Sequence, residues 1–441
     1  MMQRRDVLKG GLAVAGAGML AGSWPAMAQS AGSTDYRALV SVFLFGGNDA
    51  NNMVVPLDET RHASYRRARP ALALERSTLV PLGDSGYGAH PSMAALRPLF
   101  EVGRAAVVAN VGPLMVPTTA AQVRARSVAL PSNLYSHSDQ QLTWQSALAD
   151  TPGRNGWAGR FLERLVAEGV TNRGYSALSL AGSNLWQSGD RGLVPYRVSS
   201  SGDFGFDFFD PGGTDPLSVA VNSLLRETQV DPFAHTWVQM MTRSIDNQRI
   251  LSDALSASAL ATPFPGSGLG RQLQMAARLI GARDRLGLKR QCFFTSLGGF
   301  DTHGDDQLQR QNELLGEMAA AMAAFQAAMA ELGVEREVTL FTGSDFGRTL
   351  ATNGQGTDHG WGAHQWVLGG SVRGSRVVGR FPELAVGGTD DVGQGVWVPS
   401  LAVDQLAGEL GRWFGADEAL LDDVLPRLRH FERRIDLMAQ A

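Results

Sequence analysis

Five mostly apolar runs of strand length punctuate the chain: Leu39 to Phe45, Ala105 to Val111, Gln291 to Ser296, Val338 to Thr342 and Gln365 to Leu368. Four of them run straight into glycine, at Gly46-Gly47, Gly112, Gly343 and Gly369-Gly370, and the other reaches Gly298-Gly299 after Leu297. Between two of these runs, Leu308 to Leu332 repeats alanine, methionine and leucine at helical spacing, with Gly333 as its expected stop. Strands alternating with helices predict an α/β fold with a mostly parallel central sheet flanked by helices. Open parallel sheets bind ligands beyond the carboxyl ends of their strands, so the turns after these runs are where chemistry is expected.

Two glycine-rich stretches near such turns concentrate histidine beside carboxylate: Gly298 to Asp305, with Asp301 and His303, and Thr357 to His364, with Asp358, His359 and His364. Neutral imidazole and ionised carboxylate are the usual ligands of zinc and related divalent ions, and glycine lets the backbone bend enough to aim neighbouring side chains at one point. Asp301 and His303 are two apart and can reach one ion. Asp358 and His359 are adjacent and would diverge in a regular strand, so they share an ion only on irregular backbone. His364 either completes that site or bonds to backbone at a strand edge. Asp49, after the first run, binds metal or caps the next element.

Tyr135-Ser136-His137-Ser138-Asp139 offers a nucleophile, Ser136 or Ser138, beside a base and an acid. The competing reading is a helix cap before Gln140. Arg348, in Ser344-Asp345-Phe346-Gly347-Arg348-Thr349, either clamps an anionic group or pairs with an acid, and Asp345 could orient a ligand. Ala181 to Asp215 is dense in turn residues and phenylalanine and predicts an excursion from the main domain, a cap or a long loop pinned by its aromatics.

Composition narrows the rest. Among 441 residues with a formal charge of -4 there is no general attraction to nucleic acid. The single cysteine, Cys292, sits in an apolar run, so no intramolecular disulfide can form and a buried strand position is expected. Arg4-Arg5, the apolar run from Gly10 to Gly22 and Ala26-Met27-Ala28 form a twin-arginine signal with a small-residue cleavage site. The run is too short and glycine-rich to span a bilayer. The expectation is a signal peptide over 1–28, handed to the twin-arginine export machinery, and a mature domain over 29–441. That domain would be periplasmic or secreted, without stable membrane insertion.

Gly46-Gly47-Asn48-Asp49, Ser136-His137, Phe300-Asp301-Thr302-His303, Ser344 to Thr349, Gly356 to Gly360 and the late Leu406 to Gly415 segment together resemble the exported bacterial family called domain of unknown function 1501. That family is placed by fold similarity in the alkaline-phosphatase and sulfatase superfamily, whose members share a central sheet and a pair of metal sites; the family's own reaction is not established. The resemblance implies divalent metal ions, as many as two, held by Asp49, Asp301, His303, Asp358, His359 and His364. It also implies Ser136 as nucleophile, Arg348 on a substrate oxygen, and a small-molecule or polysaccharide ester of phosphate or sulfate as substrate. No cysteine lies in a sulfatase-type maturation motif. The competing class is a non-catalytic exported protein that keeps the fold for binding or structure.

Overall fold

Alternation along one strand sets the layers. β1, Arg37–Phe45, sends Ala38, Val40, Val42 and Leu44 into one apolar cluster and Leu39 and Phe43 into another, because successive side chains of a strand face opposite ways. A strand apolar on both faces belongs in the interior of a sheet covered on both sides. The computed structural model describes residues 35–439, apart from 152, 202–208, 228 and 257. The expected signal peptide over 1–28 lies outside those residues, as do three of the four phenylalanines of the expected excursion.

The other strands of the main sheet are β2 (Ala105–Gly112), β3 (Ala177–Ser179), β4 (Tyr196–Arg197), β5 (Arg290–Gly298), β6 (Val338–Ser344), β7 (Ala363–Leu368), β8 (Arg376–Val378) and β9 (Leu401–Ala402); Val54–Pro56, Val80–Pro81 and Tyr87–Ala89 form a separate small sheet. β1 to β9 form a nine-stranded sheet in the order β8-β2-β7-β6-β1-β5-β3-β4, with β9 also beside β2. β1 pairs in parallel with β5 and β6, and β2 in parallel with β8 and β9. β7 alone of these runs antiparallel, to both β2 and β6. The expected α/β fold with a largely parallel sheet is present, and its five anticipated strands are β1, β2, β5, β6 and β7.

Helices cover both faces. α1 (His137–Ser146) and α2 (Trp157–Ala167) precede the Ala181 to Asp215 excursion, α3 (Gly268–Gly281) and α4 (Gln307–Glu331) follow it, and α5 (Val403–Phe414) comes late. α3 and α4 contribute to the cluster on one side, with Leu273, Met318, Met322 and Phe325 fully buried; α2 and α5 contribute to the other, with Phe161, Leu406 and Leu410. Each such side chain contributes about 1.5–3 kcal/mol on leaving water. α4 connects β5 to β6 and ends where Gly333 adopts φ +65°, the stop that the sequence anticipates. Cys292 is fully buried in β5, and burial pushes its thiol well up. In the excursion, Trp186 packs edge-on against Trp157 and so pins its part of the loop to the body; Phe209 is also buried.

The turn after β1 is closed by glycine for a reason the packing shows. Gly46 has φ +112°, and a Cβ there would stand 2.4 Å from the backbone nitrogen of Asp301. Gly47 has φ +78°, and its Cβ would meet the Phe346 ring at 2.5 Å. Gly46→Ala therefore combines backbone strain with a clash against main chain that has no rotamer to escape by. The expected cost is about 2–4 kcal/mol, read as a lower urea midpoint with an unchanged slope. A cost below 0.5 kcal/mol or so would show that this approach is not tight.

Candidate metal and catalytic site

The turns after β1, β5 and β6 meet the start of α1 and the segment leading into β7. Because β7 is reversed, its first residue, Ala363, lies opposite Val111 at the carboxyl end of β2. The Asp358-His359 segment, which precedes a strand, thereby reaches the sheet edge where the other strands end. It is held there by a short ladder with the segment after β6. Arg348 and His359 form a bridge, Thr349 N donates to Asp358 O at 3.0 Å, and Gly360 N donates to Gly347 O at 2.7 Å. A Cβ on Gly360 would lie 2.8 Å from the Arg348 carbonyl carbon, so only glycine allows the two backbones this close.

On this edge, three imidazoles and one carboxylate face one another. His137 Nε2 and His359 Nε2 are 3.1 Å apart. Asp301 Oδ1 is 3.5 Å from the first and 3.4 Å from the second. His303 Nε2 stands 3.0 Å from His359 Nε2 and 2.9 Å from Asp301 Oδ1. Among the described residues, His137, Asp301 and His359 are the group whose donor atoms converge as metal ligands would.

The outer ring nitrogens determine what this inner face offers. His137 Nδ1 is 2.6 Å from Asp345 Oδ2, His359 Nδ1 is 2.7 Å from the Tyr135 carbonyl oxygen, and His303 Nδ1 is 3.3 Å from Asp358 Oδ1. Each of those oxygens can only accept, so each Nδ1 carries hydrogen and each Nε2 of a neutral ring presents a lone pair. Lone pairs this close repel unless a cation lies among them. Ligands about 2.0–2.1 Å from a tetrahedral zinc-like ion would be roughly 3.3 Å from each other, and the observed 3.1, 3.4 and 3.5 Å separations of the three groups match that spacing. The donor set fits a divalent ion. Outer carboxylate and carbonyl partners are the usual means of orienting metal-binding histidines.

Charge reinforces the arrangement. The Asp345 hydrogen bond, its charge and that of Asp301 raise the pKa of His137 against some burial. Burial lowers that of His359, with Arg348 and the neighbouring imidazoles adding to the effect. Burial alone would push Asp301 up, but the Arg348 guanidinium, whose Nη2 donates at 2.7 Å, and the histidines hold it below the usual carboxylate value. Asp358 is held low chiefly by the Asn353 amide.

The remaining expected residues take other places. Asp49 accepts from Asn51 N, from Arg69 Nη1 at 2.9 Å and from Gln307 Nε2 at 2.7 Å, and both members of its ion pair with Arg69 are buried. It caps the turn Ala50–Met53, the cap alternative of its sequence reading. His364 is buried at the β7 bulge, accepts from Asn110 N at 3.1 Å through Nδ1 and lies against Phe381; burial lowers its pKa to about 3. Arg348 is fully buried behind Asp301, with Nη1 3.2 Å from His303 Nε2, so it presents no face to a substrate. Ser136 is the N-cap residue of α1, but its hydroxyl accepts from no helix N–H and donates instead to Asp139 Oδ2 at 2.6 Å. His137 is the residue that sequence reasoning left beside a serine and did not count among the ligands. Its available signal was a histidine at the first turn of a helix that follows a glycine-free turn, which by itself points nowhere.

An open cavity of about 430 Å³ adjoins the cluster, lined by Tyr135, His303, Thr349, Asp358, His359 and Val396. Tyr135 has φ +75°, a strained conformation for a tyrosine, and it is this bend that turns its carbonyl to His359. A larger surface cavity of about 720 Å³, at Glu59, His62, Arg66 and Arg76, has no such convergence of donors.

Two outcomes follow. Asp49→Ala leaves Arg69 buried without its partner, so a loss of about 3–5 kcal/mol is expected in urea unfolding; a loss under 1 kcal/mol or so would show that the pair does not hold this region. In metal-free protein, the raised pKa of His137 means that its stabilising contribution is full below about pH 6.5, the ordinary histidine value, and fades as pH rises through the raised value. Asp345→Asn should remove that pH dependence, and unfolding measured across this range checks it.

A search of curated proteins finds no match. Among solved structures, the chain is similar to a lipoteichoic acid synthase of Listeria monocytogenes at 8% identity and TM-score 0.35, covering 92% of this chain and 76% of that one. It is similar to the C-terminal periplasmic domain of EcEptC from Escherichia coli, in complex with Zn, at 9% identity and TM-score 0.29, covering 76% and 72%. The PsFucS1 sulfatase from Pseudoalteromonas sp. is similar at 9% identity and TM-score 0.32, covering 87% and 68%. The model of the family described as "Protein of unknown function (DUF1501)" matches residues 36–408, and the chain belongs to that family.

Proposed function

We propose that the protein is a metal-dependent hydrolase or transferase acting on a phosphate or sulfate ester outside the cytoplasm. The observation that carries this reading is the inward-facing set of His137 Nε2, His359 Nε2 and Asp301 Oδ1, with each imidazole fixed from outside by an oxygen that can only accept. His303 and Asp358 lie 3.3 Å apart at its rim. A divalent ion would supply positive charge for an anionic ester and lower the pKa of a bound oxygen nucleophile.

The chain's own groups supply the rest. Asp345 and the Tyr135 carbonyl hold the imidazole planes, and Arg348 keeps Asp301 ionised. Ser136, at the mouth of α1, is the nucleophile of this proposal, and Asp139 takes the hydroxyl hydrogen that it already accepts. The partial positive charge of the α1 N-terminus favours the oxyanion that forms. The cavity beside His303 and His359 would take the alcohol portion of the ester. The Arg4-Arg5 signal supports export by the twin-arginine route.

Elemental analysis of the mature protein tests the reading directly. About one divalent ion per chain is expected, lost in Asp301→Ala and in the His137→Ala/His359→Ala double variant. Binding should weaken as pH falls through the raised value of His137, because proton and metal compete for the same lone pairs. Ester hydrolysis should fall at least ~100-fold in Ser136→Ala with metal retained. Protein that takes up no zinc, manganese, magnesium or calcium would overturn the proposal.

A further inference from the structure

Two residues on strained backbone line the cavity beside the histidine cluster. Among the described residues, eight other than glycine have positive φ, and two of them, Tyr135 at +75° and Gln394 at +56°, belong to this one cavity. Glycine or asparagine would adopt either bend at less cost, because a Cβ crowds the left-handed conformation. The bend at Tyr135 turns a carbonyl to His359, but that contact is made by the main chain and asks nothing of the ring. The bend at Gln394 lies between Gly393 and Gly395, whose N–H groups donate to buried Asp391 Oδ1 at 2.6 and 2.9 Å, so the turn is fixed in place. A side chain kept on sparsely populated backbone beside a site points to a use for the side chain itself.

The protein makes no use of either one internally. Among the described residues the Tyr135 ring has no aromatic partner and its hydroxyl no hydrogen bond, and the residue is 41% exposed. The Gln394 amide is exposed and likewise without a hydrogen bond among those residues. Asp358, on the same cavity, commits Oδ1 to His303 and Asn353 and leaves Oδ2 to accept. Val396 adds apolar surface.

We propose that Tyr135 and Gln394 determine specificity, Tyr135 as the platform for an uncharged sugar ring and Gln394, with Asp358, as the partners of its hydroxyls. The inference rests on the ester reading above, and makes the alcohol portion of the ester a neutral pyranose. A pyranose has C–H bonds on its faces and hydroxyls around its edge, which matches an aromatic face flanked by free hydrogen-bonding groups. A wholly apolar alcohol would strip water from the Gln394 amide and the Asp358 carboxylate and return nothing. A ring bearing its own carboxylate would meet Asp358, with no lysine or arginine in the lining to offset the repulsion.

Isothermal titration calorimetry of the mature protein, with and without added zinc, tests this. The probes are the methyl β-pyranosides of glucose, galactose and N-acetylglucosamine, with methyl β-glucuronide as the charged control. At least one neutral pyranoside should bind with a dissociation constant on the order of 1 mM, and the glucuronide at least ~10-fold more weakly. Tyr135→Asn should weaken binding at least ~10-fold and Tyr135→Phe by no more than about threefold, since phenylalanine keeps the ring. Asparagine tolerates the left-handed backbone, so Tyr135→Asn should keep the carbonyl on His359 and unfold at no lower temperature. No binding by any neutral pyranoside would overturn the proposal, as would binding that survives in Tyr135→Asn, or a lower unfolding temperature there, which would show that the ring packs for stability. The titrations need no turnover, so the two readings fail separately. Protein that takes up metal but binds no pyranoside overturns this inference alone; protein that binds a pyranoside through Tyr135 but takes up no metal overturns the ester reading and leaves the sugar site standing.

Discussion

A buried carboxylate with three donors on one oxygen holds the site together. Asp345 Oδ2 accepts from His137 Nδ1 at 2.6 Å, from Gly46 N at 3.1 Å and from Gln141 Nε2 at 3.0 Å, and its side chain is fully buried. A charge in that environment is tolerable only when hydrogen bonds replace its water. The donors that do so come from the turn after β1 and from two places on α1. One carboxylate therefore docks α1 against the sheet and fixes the tautomer of His137. The contacts that hold Oδ2 also aim the imidazole.

A second network lies beneath the first. Asp49 pairs with Arg69, and Arg69 passes its remaining donors to the carbonyls of Thr349 and Leu350. Asn51 reaches the Arg348 carbonyl, and Gln307 joins Asp49 to the Thr357 hydroxyl. The two segments that carry Arg348 and His359 are thus tied from below by groups that touch no donor of the cluster. A position displaced by a fraction of an ångström matters here, because the inner separations of 3.1 to 3.5 Å leave room for an ion and for little else.

Much of this was legible in the chain. The apolar runs ending in glycine marked the central strands, and the two histidine-carboxylate stretches do come together although more than fifty residues separate Asp301 from Asp358. The direction of β7 was not legible, since a six-residue strand has the same composition whichever way it runs; its reversal is what brings a segment lying before a strand to the functional edge. Asp49 and His364 show the complementary limit. Both sit next to strands, as ligands would, but Asp49 meets Arg69 and His364 meets Asn110 N, partners that only folding supplies. His137 was hidden for the same reason, because its ligand-like character comes from Asp345, 208 residues away.

The distribution of positive charge narrows what such an edge can do. Arg348 is fully buried and committed to Asp301, the Phe300 carbonyl and His303, and Arg69 is committed to Asp49. The residues lining the adjacent cavity are tyrosine, histidine, threonine, aspartate, glutamine and valine, with no lysine or arginine among them. An anionic ester entering there would meet Asp358 before any fixed cation. Its charge must be balanced within the cluster, by protonated imidazole at low pH or by an ion at the shared Nε2 and Oδ1 position. Under the proposed chemistry these two exclude one another, since the proton that raises the charge of His137 occupies the lone pair the ion needs. Activity that rises with pH through the titration of His137 is therefore a consequence of the geometry, independent of which ester is the substrate.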